Sequence, residues 1–182
     1  NGWQGGSGQG VETGEMYDKQ TFDVYQEIEG LPEGSYEVSL QGFQRPTWHD
    51  ACQAAWGTDA KEAQVTAYAY GNDGSVKLHH CYDEVFDEPM QAEGWGKDVQ
   101  LSLPNDELRN GKYALDALTG THKAFEEGHF ENKFVCYVKA DGKLRVGVRM
   151  TEDAGLSGDW TTYDNFRLKY LGAEDMTGAV SA

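Results

Sequence analysis

Basic residues are scarce in this chain of 182 residues. It carries 15 Lys and Arg against 31 Asp and Glu, which gives a formal net charge of -16 at pH 7. A field of that sign repels nucleic acid and anionic membrane surfaces, and it disfavours anionic polysaccharides unless a local basic patch or bound cations intervene. The charge therefore argues against nucleic acid as a partner and favours a neutral ligand or a cation.

Long apolar runs are missing, and cysteines are few. No run approaches the roughly 18 apolar residues that a membrane span needs, so we expect no membrane insertion. Cys52, Cys81 and Cys136 leave one cysteine unpaired and are too few for a disulfide framework, and whether Cys52 pairs with Cys81 stays open. The chain opens without the basic and apolar segments of a signal peptide, and we expect a module excised from a longer protein.

Aromatic residues and glycines, in contrast, are plentiful. Aromatic residues make up 12% of the chain and it has 23 glycines, a combination that suits many strands joined by tight turns. The turn sequence at 71–74 predicts a hairpin, and the turn at 140–142 predicts another. Alternating apolar residues predict strands over residues 22–28, 35–40, 65–70, 75–79, 134–138, 143–150 and 166–170.

Helix signals are weak by comparison. The best candidate runs from Thr121 to Glu127 and would end at Gly128, with a further turn at 106–110. Residues 44–61 and 82–120 read as long loops with short helices, and loops of that length in a compact domain are often functional. We predict an all-β fold of one domain over residues 1–172, with a linker or tail over 173–182.

Four groups of segments, spanning most of the chain, follow a known order and spacing. They are EMYDKQTFDVYQ (15–26) with GLPEGSY (30–36) and GFQR (42–45); AYGN (69–72); LPN (103–105) with AFEEGHFEN (124–132); and GKLRVGV (142–148) with WTTYDNFRL (160–168). Together they resemble galactose-binding-like jelly-roll domains of secreted polysaccharide-utilisation proteins from gut and rumen bacteria. More distantly, the early Glu-x-Tyr, the Gly-x-Tyr and the closing Asp-x-Phe-x-Leu strands are similar to carbohydrate-binding module family 6.

The resemblance implies an antiparallel β-sandwich with one or two short helices, secreted or held at a bacterial cell surface. It also implies glycan binding, either at the loops that join the two sheets or on the concave face, and often a structural calcium ion. Residues 44–61 and 82–120 are longer than their counterparts in family 6, so the ligand site does not carry over residue by residue.

Three tryptophans in the long loops are the main candidates for binding. Trp48 and Trp56 lie in one loop and Trp95 in the other. An indole can stack on the apolar C–H face of a sugar while polar neighbours bind its hydroxyls, and His49 and Asp50 are such neighbours. The alternative is that each tryptophan pins its loop by burial, which is common for this residue.

Three more side chains are candidates with structural alternatives. Arg45 ends a predicted strand, and a structural ion pair with a carboxylate is the stronger interpretation. Tyr68 and Tyr70 share one face of a strand and could line a concave binding surface, or they could serve ordinary sheet packing. Trp160 belongs to the regular family pattern and is predicted to lie in the core.

A calcium site is predicted from the acidic residues near both ends of the chain. Glu15 and Asp164 match ligands by similarity to family 6, and Glu12 is a third candidate. Calcium takes six to eight oxygen ligands, which the first and last strands of a sandwich can supply together. The alternative is that these are solvated carboxylates in a very acidic protein.

Catalytic motifs are absent from the sequence. It has no Gly-x-Ser-x-Gly elbow, no phosphate-binding glycine loop and no His-Glu-x-x-His. We therefore predict a monomeric, non-catalytic module that binds a polysaccharide, with a neutral xylan, glucan or mannan favoured, and that targets an attached enzyme or surface complex to it. A structural spacer, in which the loop tryptophans are buried, and a glycan-active hydrolase or lyase are the alternatives.

Overall fold

The computed structural model describes residues 3–4, 13–18, 21–94, 96–151 and 155–178. Strands predominate there, almost all of them paired antiparallel, and the helices are two and short, so the all-β prediction is confirmed. Neither described helix has the length and apolar character that a membrane crossing demands.

Twelve strands and two helices make up the described part of the chain. The strands are β1 Trp3–Gln4, β2 Gly14–Tyr17, β3 Phe22–Ile28, β4 Gly34–Arg45, β5 Tyr68–Gly71, β6 Gly74–Lys77, β7 His79–His80, β8 Val99–Gln100, β9 Tyr113–Ala114, β10 Glu131–Val138, β11 Leu144–Met150 and β12 Trp160–Gly172. The helices are α1 His49–Ala55 and α2 Leu118–Glu126, and a 3-10 turn covers Lys61–Ala63. The predicted helix therefore begins three residues earlier than expected, and Gly128 follows it with a φ of 88°, as predicted.

The strands form two large sheets and one small one. The first sheet has the order β1-β3-β11-β5-β6, and the second has the order β10-β4-β12-β2, with β7 beside β4. β4 and β7 pair in parallel, and all other strand pairs among the described residues are antiparallel. β8 and β9 pair with each other in the region predicted as a long loop.

One predicted hairpin is confirmed and one is wrong. β5 and β6 pair across a turn in which Asn72 has a φ of 45°, a conformation that asparagine tolerates. β10 and β11 are strands as predicted, but the turn at 140–142 carries the chain from the second sheet to the first instead of pairing them. β10 pairs with β4 and β11 with β3, so their apolar faces meet from opposite sides in the core that the two sheets share.

A hydrophobic cluster takes side chains from both sheets. Alternation along each strand turns every second side chain toward it, such as Val38 and Leu40 of β4 and Val146 and Val148 of β11, all at most 2% exposed. Burying each such side chain stabilises the fold by about 1.5 to 3 kcal/mol.

A second hydrophobic cluster lies on the opposite face of β4. The side chain of Gln44 bonds inward to the backbone of Thr66, so its neighbour Phe43 faces outward. Phe43 packs against Phe125, Phe130 and the buried Trp160, whose predicted core position is confirmed. The connections from β4 to β5, from β7 to β10 and from β11 to β12 all leave or enter the sheets here, and we call this the loop end of the molecule.

Candidate functional site

A cleft of about 360 Å³ opens at the loop end of the second sheet. The first and last residues of neighbouring strands form one side of it, and the connection between β7 and β10 forms the other. We call it the Trp48 cleft, and it is lined by Glu15, Tyr17, Arg45, Trp48, Gln91, Gly96, Asp116, Ala117, Leu118, Thr119 and Trp160.

Strand register explains why side chains so far apart in sequence meet in this cleft. Trp160 of β12 pairs with Arg45 on one side and with Tyr17 of β2 on the other. Directly opposed residues of antiparallel strands project from the same face, so the three side chains stand in one row. Glu15 pairs with Thr162 and adds a carboxylate in the next row.

Trp48 presents an aromatic surface to solvent in the cleft. Its side chain is 51% exposed, and its indole makes an edge-to-face contact with Tyr17 at a centroid distance of 6.2 Å. The indole also lies against Gly158, where a Cβ atom would overlap the ring, and Gly158 has a φ of 79° that favours glycine. Two neighbours therefore hold the exposed ring in one position.

Arg45 lies beneath this aromatic surface and makes the ion pair predicted from the sequence. It is 4% exposed, and its guanidinium pairs with the Asp116 carboxylate and donates a hydrogen bond of 2.8 Å to the Gly158 carbonyl. The guanidinium carbon lies 5.8 Å from the Trp48 ring and 5.6 Å from the Trp160 ring. Arg45 therefore fixes both the peptide against which Trp48 rests and the carboxylate across the cleft.

The two carboxylates of the cleft are each held through one oxygen. Oε2 of Glu15 accepts a hydrogen bond of 2.8 Å from Nε1 of Trp160, and Oδ1 of Asp116 accepts from Arg45. The backbone around Asp116 is held by Asp98, which accepts from the backbone amides of Asp116 and Gln91. Burial raises the pKa of Asp98 above its usual value, and these amide bonds counteract the rise.

His49 lies behind the cleft and Asp50 lies outside it. His49 is 9% exposed, with Nδ1 2.8 Å from the Tyr82 hydroxyl and Nε2 3.4 Å from Oδ1 of Asp116. This position supports the Arg45 and Asp116 pair from below. Asp50 is exposed on the first turn of α1 and does not line the cleft.

Trp56 is not brought into the Trp48 cleft. It is partly buried, its Nε1 donates a hydrogen bond of 2.8 Å to Asp106, and the guanidinium of Arg109 lies 5.1 Å from its ring. Its other neighbours are Tyr82 and the buried His80, whose pKa burial lowers to about 4. Trp56 thus anchors the turn at 106–109, whereas Trp95 lies outside the described residues.

Tyr68 and Tyr70 lie on the first sheet, not in the cleft. Their neighbour Ala69 points into the shared core, so both tyrosines project from the outer face. Tyr70 is only 5% exposed, because its hydroxyl bonds to Asp23 at 2.6 Å and the guanidinium of Arg149 lies 4.4 Å from its ring. Tyr68 is partly buried, with the Lys77 ammonium 5.8 Å from its ring.

A second cleft, of about 400 Å³, lies at the end of the sheets opposite the loop end. Its charged side chains are of both signs, and Lys143 pairs with Glu29 at 3.3 Å. The Asn72 side chain donates to two backbone carbonyls across it and thereby ties two turns together. Its polar groups largely satisfy one another, so we favour the smaller Trp48 cleft as the candidate site.

The proposed calcium ligands are only partly assembled in the structure. Glu15 bonds Trp160, while Oδ1 of Asp164 accepts from its own neighbour Asn165 and Oδ2 lies 4.0 Å from a His122 ring nitrogen. Glu12 lies outside the described residues, and within them no three His, Cys, Asp or Glu form a group that could hold a metal ion. Two carboxylates do not make up the six to eight oxygens that calcium takes, so the calcium site stays a prediction.

Removal of metal tests that prediction. If calcium joins the first and last strands, excess chelator should lower the melting temperature, because a ligand that binds only the native state stabilises it. The fall should be about 2 to 4 °C for each kcal/mol of binding free energy lost. Circular dichroism melts with and without chelator check this, and an unchanged melt together with no metal in elemental analysis removes calcium.

Sequence reasoning missed several residues of the cleft. Tyr17 and Gly158 were not singled out, and Asp116 lies in a stretch without periodicity. The Glu-x-Tyr pattern of β2 was a usable signal for Tyr17, since it places Glu15 and Tyr17 on one face of a strand.

No family model, no curated protein and no solved structure matches this chain.

Proposed function

We propose that the chain is a non-catalytic carbohydrate-binding module whose ligand stacks on Trp48 in the cleft. The observation that carries the proposal is the half-exposed indole of Trp48, fixed against Gly158 and beside Tyr17. An immobilised ring loses little conformational freedom when a sugar stacks on it, and a sugar offers an apolar C–H face of matching shape. The carboxylate oxygens of Glu15 and Asp116 supply acceptors for sugar hydroxyls.

The wider setting is proposed from the sequence resemblance and the sheet order together. The two sheets with a common core are consistent with a galactose-binding-like jelly-roll sandwich, and the resemblance implies glycan binding at the loops that join the sheets or on the concave face. We propose a secreted or cell-surface bacterial module, monomeric, that holds an attached enzyme or surface complex on its polysaccharide. Its acidity favours a neutral chain such as a xylan, glucan or mannan.

The spacer hypothesis predicts buried loop tryptophans, and Trp48 does not fit it. Trp48 and Tyr17 are both about half exposed and line the same cleft, and adjoining exposed aromatic rings in a concave site favour a ligand-binding surface over a spacer. Trp56, in contrast, has the anchoring contacts that the spacer hypothesis expects of all three.

Affinity electrophoresis of the isolated chain tests the proposal. Native gels that contain xylan, mixed-linkage glucan, mannan or pectin are compared with a gel without polysaccharide. We expect retardation by at least one neutral glycan, and no release of reducing ends on incubation. Migration unaffected by every plant and microbial glycan tried would overturn glycan binding, and release of reducing ends would show a hydrolase instead.

A further inference from the structure

The hydrogen-bond donors and acceptors of the Trp48 cleft differ in how many bonds they already make within the protein. Arg45 is its one cation among the described lining residues, and its Nη atoms are bonded to Asp116 and to the Gly158 carbonyl. The Gln91 amide is engaged on both sides, by the Glu93 carbonyl and by the backbone amide of Gly120. The Nη donors of Arg45 are therefore used by the protein itself and its Nε is buried without a partner, so among the described residues the cleft offers a ligand no free charged donor.

The acceptors, in contrast, are available. Oε1 of Glu15 and Oδ2 of Asp116 accept no hydrogen bond from the residues that the structure describes. A carboxylate is an acceptor only, so a group that meets these oxygens has to donate. A donor with a positive charge forms the stronger, charge-assisted bond.

The charge of the cleft and its aromatic surface both favour a cationic ligand. The cleft is lined by two carboxylates and one guanidinium, which leaves one negative charge in excess, and the whole chain has a net charge of -16. The faces of Trp48 and Tyr17 carry the negative end of the ring quadrupole and attract a cation that comes within about 6 Å. A ligand carboxylate or sulfate would meet repulsion from the two carboxylates and from the ring faces, while the one guanidinium already pairs with Asp116.

We propose that the cleft selects an amino sugar, with its protonated amine directed at Glu15 and Asp116 and its ring stacked on Trp48. This inference rests on the proposed function and refines its ligand: the same site would prefer a chain that contains amino sugars over a wholly neutral xylan, glucan or mannan. A protonated amine offers three donors and a charge in one group, whereas the equatorial hydroxyl of a neutral hexose offers one donor without charge.

Three tetrasaccharides of the same linkage test the contribution of the amine at C2. β-1,4-linked tetramers of glucosamine, glucose and N-acetylglucosamine differ only at C2, which bears an ammonium, a hydroxyl or an acetamide. Calorimetric titrations at about pH 5.5 keep the amines protonated and lie above the ordinary carboxyl pKa of about 4. We expect the glucosamine tetramer to bind at least tenfold more tightly than the other two.

The Glu15→Gln variant tests the carboxylate. It keeps an oxygen for Trp160 and the shape of the side chain while removing the charge, so we expect the affinity for the glucosamine tetramer to fall severalfold more than the affinity for the glucose tetramer. Glu107→Gln is the matched control, because Glu107 is exposed, lies outside the cleft and carries the same charge. It should leave the preference unchanged.

The outcomes separate this inference from the proposed function. Equal affinity for the three tetramers, or a preference that Glu15→Gln leaves intact, overturns amino-sugar selection while glycan binding stands. Equal competition by a lysine tetrapeptide overturns the assignment to a sugar, because any amine would then suffice. Binding of no glycan at all overturns the proposed function itself.

Discussion

Replacing Trp160 by alanine is expected to lower the free energy of unfolding by about 3 to 5 kcal/mol. Trp160 is 5% exposed, and its ring packs against Phe43 with a centroid distance of 5.5 Å in the second hydrophobic cluster. The truncation leaves a cavity that a close-packed interior cannot fill. It also removes the Nε1 donor from Glu15 and the ring beside Arg45.

Urea unfolding followed by circular dichroism measures this effect. Trp160→Phe is the matched control, since it keeps most of the buried volume and loses the hydrogen bond, so it should cost markedly less than the alanine variant. If the alanine variant unfolds at the same urea concentration as the unmodified chain, Trp160 does not hold the loop end to the second sheet.

The fold class could be predicted because its signals are local. Along β11, four alternating apolar residues face the core as the sequence indicates, and the turn between β5 and β6 is marked by Asn72 and its glycine neighbours. It was harder to predict from the sequence which sheet each strand joins. The turn at 140–142 looks the same in sequence whether it closes a hairpin or crosses between sheets, because the partner strands are β3 and β4, about a hundred residues away.

The two tryptophans of the first long loop show why the site was only partly predictable. Trp48 precedes α1 and Trp56 follows it, so their backbone positions are separated by about one helix length, roughly 12 Å. One end of α1 adjoins the cleft, whereas the other adjoins Asp106 and Arg109. The sequence alone does not distinguish the two tryptophans. Their surroundings differ because the helix between them places them at its opposite ends.

The contacts that join Arg45, Asp116 and Gly158 beneath the cleft could not be predicted from the sequence. Arg45, Asp116 and Gly158 meet through contacts between segments that are tens of residues apart. An ion pair of Arg45 with some carboxylate was predictable from its place at the end of a predicted strand in a very acidic protein. Its identity as Asp116 depends on how the connection between β7 and β10 folds over the second sheet, which no local pattern encodes.

Replacing Trp48 by alanine is expected to weaken glycan binding by roughly 1 to 3 kcal/mol, a loss of affinity of about fivefold to 150-fold. The side chain is half exposed and its packing neighbours are Tyr17 and Gly158, so the free energy of unfolding should change by less than about 1 kcal/mol. Trp56→Phe is the control, because it alters a tryptophan of the same loop that lies outside the cleft.

Calorimetric titration of these proteins with the glycan that retards the unmodified chain tests most directly whether the Trp48 cleft binds carbohydrate. The predicted result is an affinity at least about fivefold lower for Trp48→Ala, with Trp56→Phe binding as the unmodified chain does and both variants folded at the temperature of the titration. Undiminished binding by a folded Trp48→Ala variant would contradict the assignment of the site to this cleft.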